Sequence, residues 1–317
     1  MPRSDSTCYL RFALPSGAPR ESSDEPVRAP LLERLLARAD ERPAAADWRR
    51  EGFALIAAPG EAWPGIGATV LHRAFGPVDA RSVYLATPVA YAPTLTSLHL
   101  AADGLVALDG EEAAALAAGF DRTFAPAQRL LVAPQGELVC VFDRPLAAET
   151  CDPADALGAD VGPFQASGPD AAALRLAASE IEMWLHEQPL NQARERRGAL
   201  PVDGLWLWGG GPPLARAPRI DGWTAGRDPF FEALAPAARD APAAFGRGAG
   251  VVCIAAAPGS AEWLREERRS FAPALAALAA GRIGRIVVRA GERAFEYGAA
   301  QRRRFWRGAR PWLERLA

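Results

Sequence analysis

Residues 180–211 hold the densest group of side chains in this sequence that could take part in catalysis or ligand binding. Glu182 and His186 are four residues apart, so on a helix they share one face, where a carboxylate can orient an imidazole or raise its pKa. We predict that His186 acts as an acid–base or hydrogen-bonding group and that Glu182 orients it. An ordinary pair on a helix surface has the same spacing and is the structural alternative.

Asn191, Arg194 and Arg197 follow just beyond the expected end of that helix. Amide and guanidinium groups together can bind a phosphate or a carboxylate, and we expect Arg194 to hold the anion. A helix cap with ordinary surface pairs is the alternative for this cluster.

A short apolar run, residues 205–208, leads into three glycines and then two prolines. Glycine allows a ligand to approach the backbone closely, but proline has no N–H to donate, and the spacing is not GxGxxG. A tight turn, with the tryptophans in the core, is the structural alternative. The predicted ligand-binding residues are Glu180, Asn191, Arg194, Arg197, Trp208, Gly209, Gly210 and Gly211, with His186 and Glu182 as the catalytic pair.

The composition excludes several kinds of site. All basic residues other than histidine are arginine, so neither a pyridoxal phosphate Schiff base nor a Walker A lysine can form. An anion must therefore be bound by arginine, backbone amides or helix ends. Three histidines without HxH or HExxH spacing, four cysteines without CxxC, and no GxSxG lead us to predict no metal site and no cofactor. A magnesium site built from carboxylates alone stays open.

Charge and hydropathy indicate the compartment and the partners. The net charge is −2, and no stretch approaches 18 uninterrupted apolar residues, so we expect no membrane span. The first residues lack a long apolar segment, so we expect no secretory signal and a cytoplasmic location. Arg302–Arg304 and Arg307 alternate with Phe305 and Trp306 near the C-terminus, but the basic patch is isolated. We therefore predict an amphipathic helix with a solvated basic face, and no nucleic-acid partner.

The elements that position these residues follow from periodicity. Residues 170–188 are predicted to form a helix limited by Pro189, and residues 205–208 a buried strand. Other predicted elements are strands at 8–14, 81–89, 251–257 and 285–289, helices at Pro30–Asp40, Glu111–Phe120 with Asp109 as cap, and 260–279, and a hairpin over 128–143 that turns at Pro134–Gly136.

Strands alternate with helices in the second half of the chain, which favours a mostly parallel sheet there. We predict one α/β domain over 1–317, with a mostly parallel central sheet flanked by helices. A smaller antiparallel α+β section is expected at 84–165, either inserted or appended. The Pro-, Gly- and Asp-rich stretch 145–169 is the best candidate boundary.

One ordered run of residues resembles the RpfE-type regulatory proteins, a mostly proteobacterial family also described as cofactor-independent phosphoglycerate mutase-like. The matching residues are Glu180, His186, Pro189, Asn191, Arg194, Glu195, Pro201, Val202, Trp206, Leu207, Trp208 and Gly209–Gly211. Residues 30–40 are similar to an early helix of alkaline-phosphatase-like enzymes. Thr87–Val89 departs from the Asp-Pro-Val-His segment of the family, and Asp203 stands where the family has asparagine.

The resemblance implies an alkaline-phosphatase-like core more than it implies mutase activity. True mutases of this type use two metal ions held by Asp and His and a serine that is transiently phosphorylated, and those ligands cannot be placed on this chain. We therefore expect a regulatory or accessory protein that binds an anionic, phosphorylated small molecule without a two-metal site. The alternatives are a metal-dependent phosphoryl-transfer enzyme and a protein-interaction scaffold, so the sequence leaves catalysis open.

Overall fold

The computed structural model describes residues 6–12, 28–45, 47–234, 248–254 and 262–312. They form two compact units: Met1–Trp63 together with Pro218–Ala317, and Pro64–Ala217. The second unit thus lies along the chain between the two parts of the first. The section predicted at 84–165 falls inside the second unit, and so does the stretch 145–169 that had been the candidate boundary.

Strands and helices follow one another along the chain. The strands are β1 (Thr7–Phe12), β2 (Asp40–Pro43), β3 (Ser82–Pro93), β4 (Leu98–Leu105), β5 (Gln128–Val132), β6 (Leu138–Phe142), β7 (Gly204–Gly211), β8 (Trp223–Gly226), β9 (Gly250–Ile254), β10 (Arg285–Ala290) and β11 (Arg293–Gly298). The helices are α1 (Pro30–Arg38), α2 (Trp48–Ile56), α3 (Ile66–Phe75), α4 (Gly110–Phe124), α5 (Ala171–His186), α6 (Pro189–Arg196), α7 (Pro229–Leu234), α8 (Trp263–Glu266), α9 (Ala272–Ala279) and α10 (Ala299–Arg302), with a π-helical segment, Glu267–Phe271, joining α8 to α9.

The first unit is built on a mostly parallel sheet. Its described strands lie in the order β2-β11-β10-β1-β9-β8. Strands β10, β1, β9 and β8 run parallel, and β11 and β2 add an antiparallel edge. This confirms the predicted α/β class. The predicted strand 251–257 is confirmed as far as Ile254, and its last three positions lie outside the described residues.

Helices pack against both faces of this sheet because β1 has apolar residues on both sides. Leu10 shares one core with Leu32 and Leu36 of α1 and with residues of α9. On the opposite face, the hydroxyl of Tyr9 donates to Glu51 of α2 over 2.9 Å. A strand covered on both faces is apolar throughout, as residues 8–10 are.

The second unit contains an antiparallel sheet. Among the described strands the order is β4-β3-β6-β5, and β7 pairs with the free side of β3. The hairpin of β5 and β6 is confirmed, and so is the cap of α4, where Asp109 and Glu112 form a reciprocal capping box. The strand at 205–208 is confirmed as β7. Its expected place in a parallel sheet is wrong, since it runs antiparallel to β3, which precedes it by more than a hundred residues.

The C-terminal arginine-rich segment is not the predicted continuous helix. Helix α10 ends at Arg302, and turns follow up to residue 307. Farther along, Gly308 and Pro311 both disfavour helix. Residues 313–317 lie outside the described part of the chain. No helix in the described ranges combines the length and apolar composition that crossing a bilayer requires.

Candidate functional site

Helix α5 in the second unit places the predicted catalytic pair. Its buried face consists of Leu174, Ala177, Ile181 and Leu185, as its 3.6-residue periodicity predicts. The next face carries Glu182, which is half-buried, and one turn later His186, which is exposed. Glu180 is exposed as well.

Glu182 interacts with a tyrosine that the sequence analysis did not select. The Tyr91 hydroxyl donates to Glu182 Oε1 over 3.1 Å, and the Tyr91 backbone N–H donates to Asp203 Oδ2 over 2.8 Å. Tyr91 belongs to β3 and Asp203 precedes β7, so these residues meet because the two strands pair. No hydrogen bond joins Glu182 to His186 among the described residues, so the orienting role of Glu182 stays a prediction.

The Glu182 carboxyl is held in an unfavourable place for a charge. Burial raises its pKa, the hydrogen bond from Tyr91 offsets part of that rise, and the nearby charge of Asp203 adds to it. Burial and the charge of Glu182 also raise the pKa of Tyr91, so its hydroxyl stays protonated as a donor. A carboxyl group that takes up a proton more readily than usual therefore sits beside a fixed O–H donor.

A small cleft opens beside this pair, entirely within the second unit. Its volume is about 60 Å³, which is room for roughly two water molecules. Glu182 and Tyr91 line it together with Thr150, Phe164, Gln165, Ala166, Leu174, Arg175, Ala178, Leu205, Trp206 and Leu207. Helix α5 and β7 thus share a hollow, but β7 contributes residues 205–207 to it and not the glycines.

We expect Glu182→Gln to make the protein more stable than wild type as the pH rises. Because the folded-state pKa of Glu182 lies above its ordinary value near 4.5, the wild-type protein loses stability as the pH rises through that raised pKa. Glutamine keeps an oxygen acceptor for Tyr91 and carries no charge. Urea denaturation between about pH 4 and pH 8 measures the difference. Glu180→Gln on the exposed side of the helix is the control, and parallel stability curves for Glu182→Gln and wild type would contradict the expectation.

Asn191 holds backbone groups together. Its side-chain nitrogen donates to Leu185 O (3.0 Å) and to Val202 O (2.9 Å), and its Oδ1 accepts from Val202 N (2.8 Å). The amide therefore ties the end of α5 to the segment that leads into β7. Its sequence signal, an asparagine after a helix, was that of a cap.

Arg194 and Arg197 both pair with Glu112 of α4. Arg194 is 7% exposed and donates to Glu112 Oε2 (2.7 Å) and to Leu200 O (2.7 Å), and Arg197 donates to Glu112 Oε1. An anion at these arginines would have to compete with a carboxylate already in place. The role of the two arginines in anion binding stays a prediction, and their ion pairs with Glu112 do not support it.

The glycines of β7 are packed against neighbouring side chains. Gly209 has φ +64°, and a Cβ there would lie 2.8 Å from Ile66 Cβ, while its N–H donates to Thr150 Oγ1 over 3.1 Å. A Cβ on Gly210 would lie 2.1 Å from the ring of Tyr84, whereas Gly211 has open space. Trp208 is 5% exposed and its indole N–H donates to Thr87 Oγ1 over 2.8 Å. Close packing accounts for glycine at two of the three positions.

The first unit contains a second candidate site, which the sequence analysis missed. A pocket of about 150 Å³ lies between α1 and the C-terminal region, and it is lined by Leu31, Arg34, Leu35, Arg38, Leu275, Tyr297 and Arg302. None of these described lining residues is acidic. The available signal was Arg34 and Arg38, four residues apart on α1, together with an arginine run near the C-terminus that only the fold brings close.

Arg38 is the lining residue with a buried polar atom that lacks a hydrogen bond. Its Nε is buried and has no hydrogen-bond partner within the described structure. A buried donor attached to a cationic group is costly to leave without an acceptor. Among the described residues, Arg302 makes one long contact, from Nη1 to Ala279 O over 3.4 Å. We refer to the surface formed by Arg34, Arg38, Arg302 and their apolar neighbours as the arginine pocket.

Metal-binding groups do not converge in the described ranges. No three His, Cys, Asp or Glu side chains there lie close enough together to hold a metal ion. The described residues therefore assign no metal site.

Comparison with known proteins gives distant structural likenesses. No family model matches the chain, and no curated protein matches it. A cofactor-independent phosphoglycerate mutase from Thermoplasma acidophilum DSM 1728 is similar at 16% identity and a TM-score of 0.39, over 92% of this chain and 89% of that one. The PH0037 protein from Pyrococcus horikoshii is similar at 13% identity and a TM-score of 0.40, over 92% of this chain and 87% of the other. Similarity this distant carries no argument about activity.

Proposed function

We propose that this protein binds a small anionic molecule bearing a phosphate group, in a regulatory or accessory role, and that the arginine pocket of the first unit is the binding site. The convergence of Arg34, Arg38 and Arg302 on one pocket is the observation that carries the proposal. Phosphate oxygens would accept charge-assisted hydrogen bonds from these guanidinium groups.

The composition of the pocket supports an anion. Arg34, Arg38 and Arg302 bring three guanidinium groups to a space of about 150 Å³, and no described residue that lines it is acidic. Arginine donates in a planar fork that matches phosphate, and a chain without lysine has no other side chain for this role at neutral pH. The apolar floor of Leu31, Leu35 and Leu275 lowers the local dielectric, which strengthens such contacts.

The arginine pocket also contrasts with the cluster in the second unit. Arg194 and Arg197 already share Glu112, whereas no carboxylate is among the described residues that line the arginine pocket. The carboxylate of Asp40, two residues beyond α1, is bound by Arg304 and Gln301. The hydrogen bond from Arg304 is the main reason that the pKa of Asp40 is lowered. Asp40 thus pairs with the arginine next to the pocket.

We expect pyrophosphate and inorganic phosphate to raise the melting temperature, and Arg38→Gln to weaken that binding at least about tenfold. A tenfold loss is about 1.4 kcal/mol, which is at the low end for one charged hydrogen bond. Titration calorimetry gives the affinities, and the shift in melting temperature checks them through the mass-action relation. Arg73→Gln, an exposed arginine of α3 in the second unit, is the matched control.

The proposal fails if neither anion binds the wild-type protein. It also fails if Arg38→Gln and Arg73→Gln bind the anions equally well. An apparent affinity that disappears at physiological salt for both variants alike would indicate a diffuse charge effect and not a site.

A further inference from the structure

A tight turn next to the arginine pocket is anchored on α1. Arg307 N donates to Arg304 O over 3.2 Å, so residues 304–307 form the turn. The Arg304 side chain donates to Arg38 O over 3.0 Å and to the carboxylate of Asp40. The turn is therefore fixed to the end of the helix whose Arg38 side chain lines the pocket.

Phe305 and Trp306 occupy the two central positions of this turn and are largely uncovered. Phe305 is 77% exposed and Trp306 is 68% exposed, and their ring centroids lie 5.5 Å apart at an interplanar angle of 80°. Two large aromatic side chains exposed side by side are uncommon on a protein surface and indicate a binding site. Nothing in the packing of the described residues accounts for them.

The aromatic pair lies close to the pocket in the chain and in space. Consecutive Cα atoms are 3.80 Å apart, so the Cα of Trp306 lies within about 7.6 Å of that of Arg304. Arg302 lines the pocket, and the Arg304 side chain is hydrogen-bonded to the backbone of Arg38. One short segment therefore supplies both a lining arginine and the aromatic pair. A ligand with a phosphate at one end and a flat ring at the other would meet both features.

We infer that the ligand of the arginine pocket is a nucleoside phosphate, with its phosphate among Arg34, Arg38 and Arg302 and its base against Phe305 and Trp306. This inference rests on the proposed function, because it assigns a ligand class to the same pocket. Every nucleobase has a π-face, and stacking on an aromatic side chain tolerates any base. Arg303 and Arg307, which are exposed on the same segment, add to its positive charge.

A free nucleotide fits these features better than a strand of nucleic acid. The pocket has a volume of about 150 Å³, which is room for one phosphate group and not for a chain of them. A strand needs a groove that follows successive phosphates, whereas the basic residues here converge on one place. The net charge of −2 also gives no long-range attraction for a polyanion.

The test compares AMP, ribose 5-phosphate and inorganic phosphate by titration calorimetry on the full chain. We expect AMP to bind at least about fivefold more tightly than ribose 5-phosphate, since stacking adds to the same phosphate contacts. Trp306→Ala should reduce the affinity for AMP to that for ribose 5-phosphate and leave the latter unchanged. Phe75→Ala, which removes an exposed aromatic ring from the second unit, is the matched control and should leave the preference intact.

Three outcomes overturn the inference. Equal affinities for AMP and ribose 5-phosphate, or an unchanged preference for AMP in Trp306→Ala, would show that the aromatic pair does not contact the ligand. In either case, phosphate binding that is weakened by Arg38→Gln would still support the proposed function. A single-stranded oligonucleotide that binds more tightly than AMP would make nucleic acid the partner. Failure of all three phosphate compounds to bind would instead be the failure of the proposed function.

Discussion

Gly210→Ala should destabilise the protein by about 3 kcal/mol or more, whereas Gly211→Ala should change its stability by no more than about 0.5 kcal/mol. A Cβ at position 210 would lie 2.1 Å from Cε1 and 2.5 Å from Cζ of Tyr84, and one at position 211 meets no atom within 4 Å. Neither glycine has a positive φ, so the comparison isolates steric overlap. Tyr84 cannot move aside easily, since it is fully buried and its hydroxyl donates to Leu146 O over 3.0 Å.

Urea denaturation of the two variants gives the comparison directly. A Tyr84→Leu background should reduce the effect of Gly210→Ala, because the smaller side chain leaves room for the added methyl group. Equal stability of Gly210→Ala and Gly211→Ala would mean that β7 does not pack on Tyr84 as described. It would also favour the predicted role of the glycines in ligand binding.

Arg194→Met should cost about 3 kcal/mol of stability, and Arg197→Met less than about 1 kcal/mol. Arg194 is 8% exposed at its side chain and pairs with a Glu112 side chain that is 11% exposed, so its removal leaves a carboxylate in a poorly solvated place. It also removes the donor to Leu200 O. Arg197 contacts the same carboxylate from a side chain that is 54% exposed, where water can replace it.

The effect of Arg194→Met should depend on pH in a defined direction. Burial tends to raise the pKa of Glu112, but hydrogen bonds from Arg197, the backbone of Asp109 and Arg194 hold it below its ordinary value near 4.5. The stabilisation is therefore present above that value and is lost as the pH falls through the lowered folded-state pKa. The stability difference between wild type and Arg194→Met should be largest near neutral pH and shrink in acid.

Chemical denaturation from about pH 3 to pH 7 measures this narrowing. Glu112→Gln combined with Arg194→Met should recover part of the loss, because no buried charge is then left without a partner. A loss of stability for Arg194→Met that is independent of pH would contradict the ion pair as its cause. A loss in Arg197→Met as large as that in Arg194→Met would show that burial does not separate the two arginines.

Both predictions bear on where a ligand binds. If Gly210 and Arg194 behave as packing and ion-pair residues, then most of the ordered run at 180–211 maintains the second unit. Glu182 is then the titratable member of that run that lines the cleft, beside Leu205, Trp206 and Leu207, and the cleft is small. The arginine pocket becomes the stronger place to look for an anion, although its residues come from distant parts of the sequence.

Local features of this protein were determined by the sequence alone. Pro30 and the leucine spacing that follows it predict α1 and its buried face, and Asp109 with Glu112 predicts the start of α4. The turn of the hairpin at Pro134–Gly136 is likewise a local property, since it depends on the backbone preferences of neighbouring residues. The absence of lysine restricted any anion site to arginine, backbone amides or helix ends before a structure was considered.

Only the tertiary structure decided which distant residues meet. The partner of Arg194 lies 82 residues away, that of Glu182 lies 91 residues away, and Arg38 shares a pocket with Arg302. Periodicity encodes which face of an element is buried, but not which element covers it. For β7, the apolar run predicted a buried strand. Only its pairing with β3 decided its direction and placed Tyr84 against Gly210. The register of two paired strands depends on contacts between them, so it cannot be read from the sequence of either strand alone.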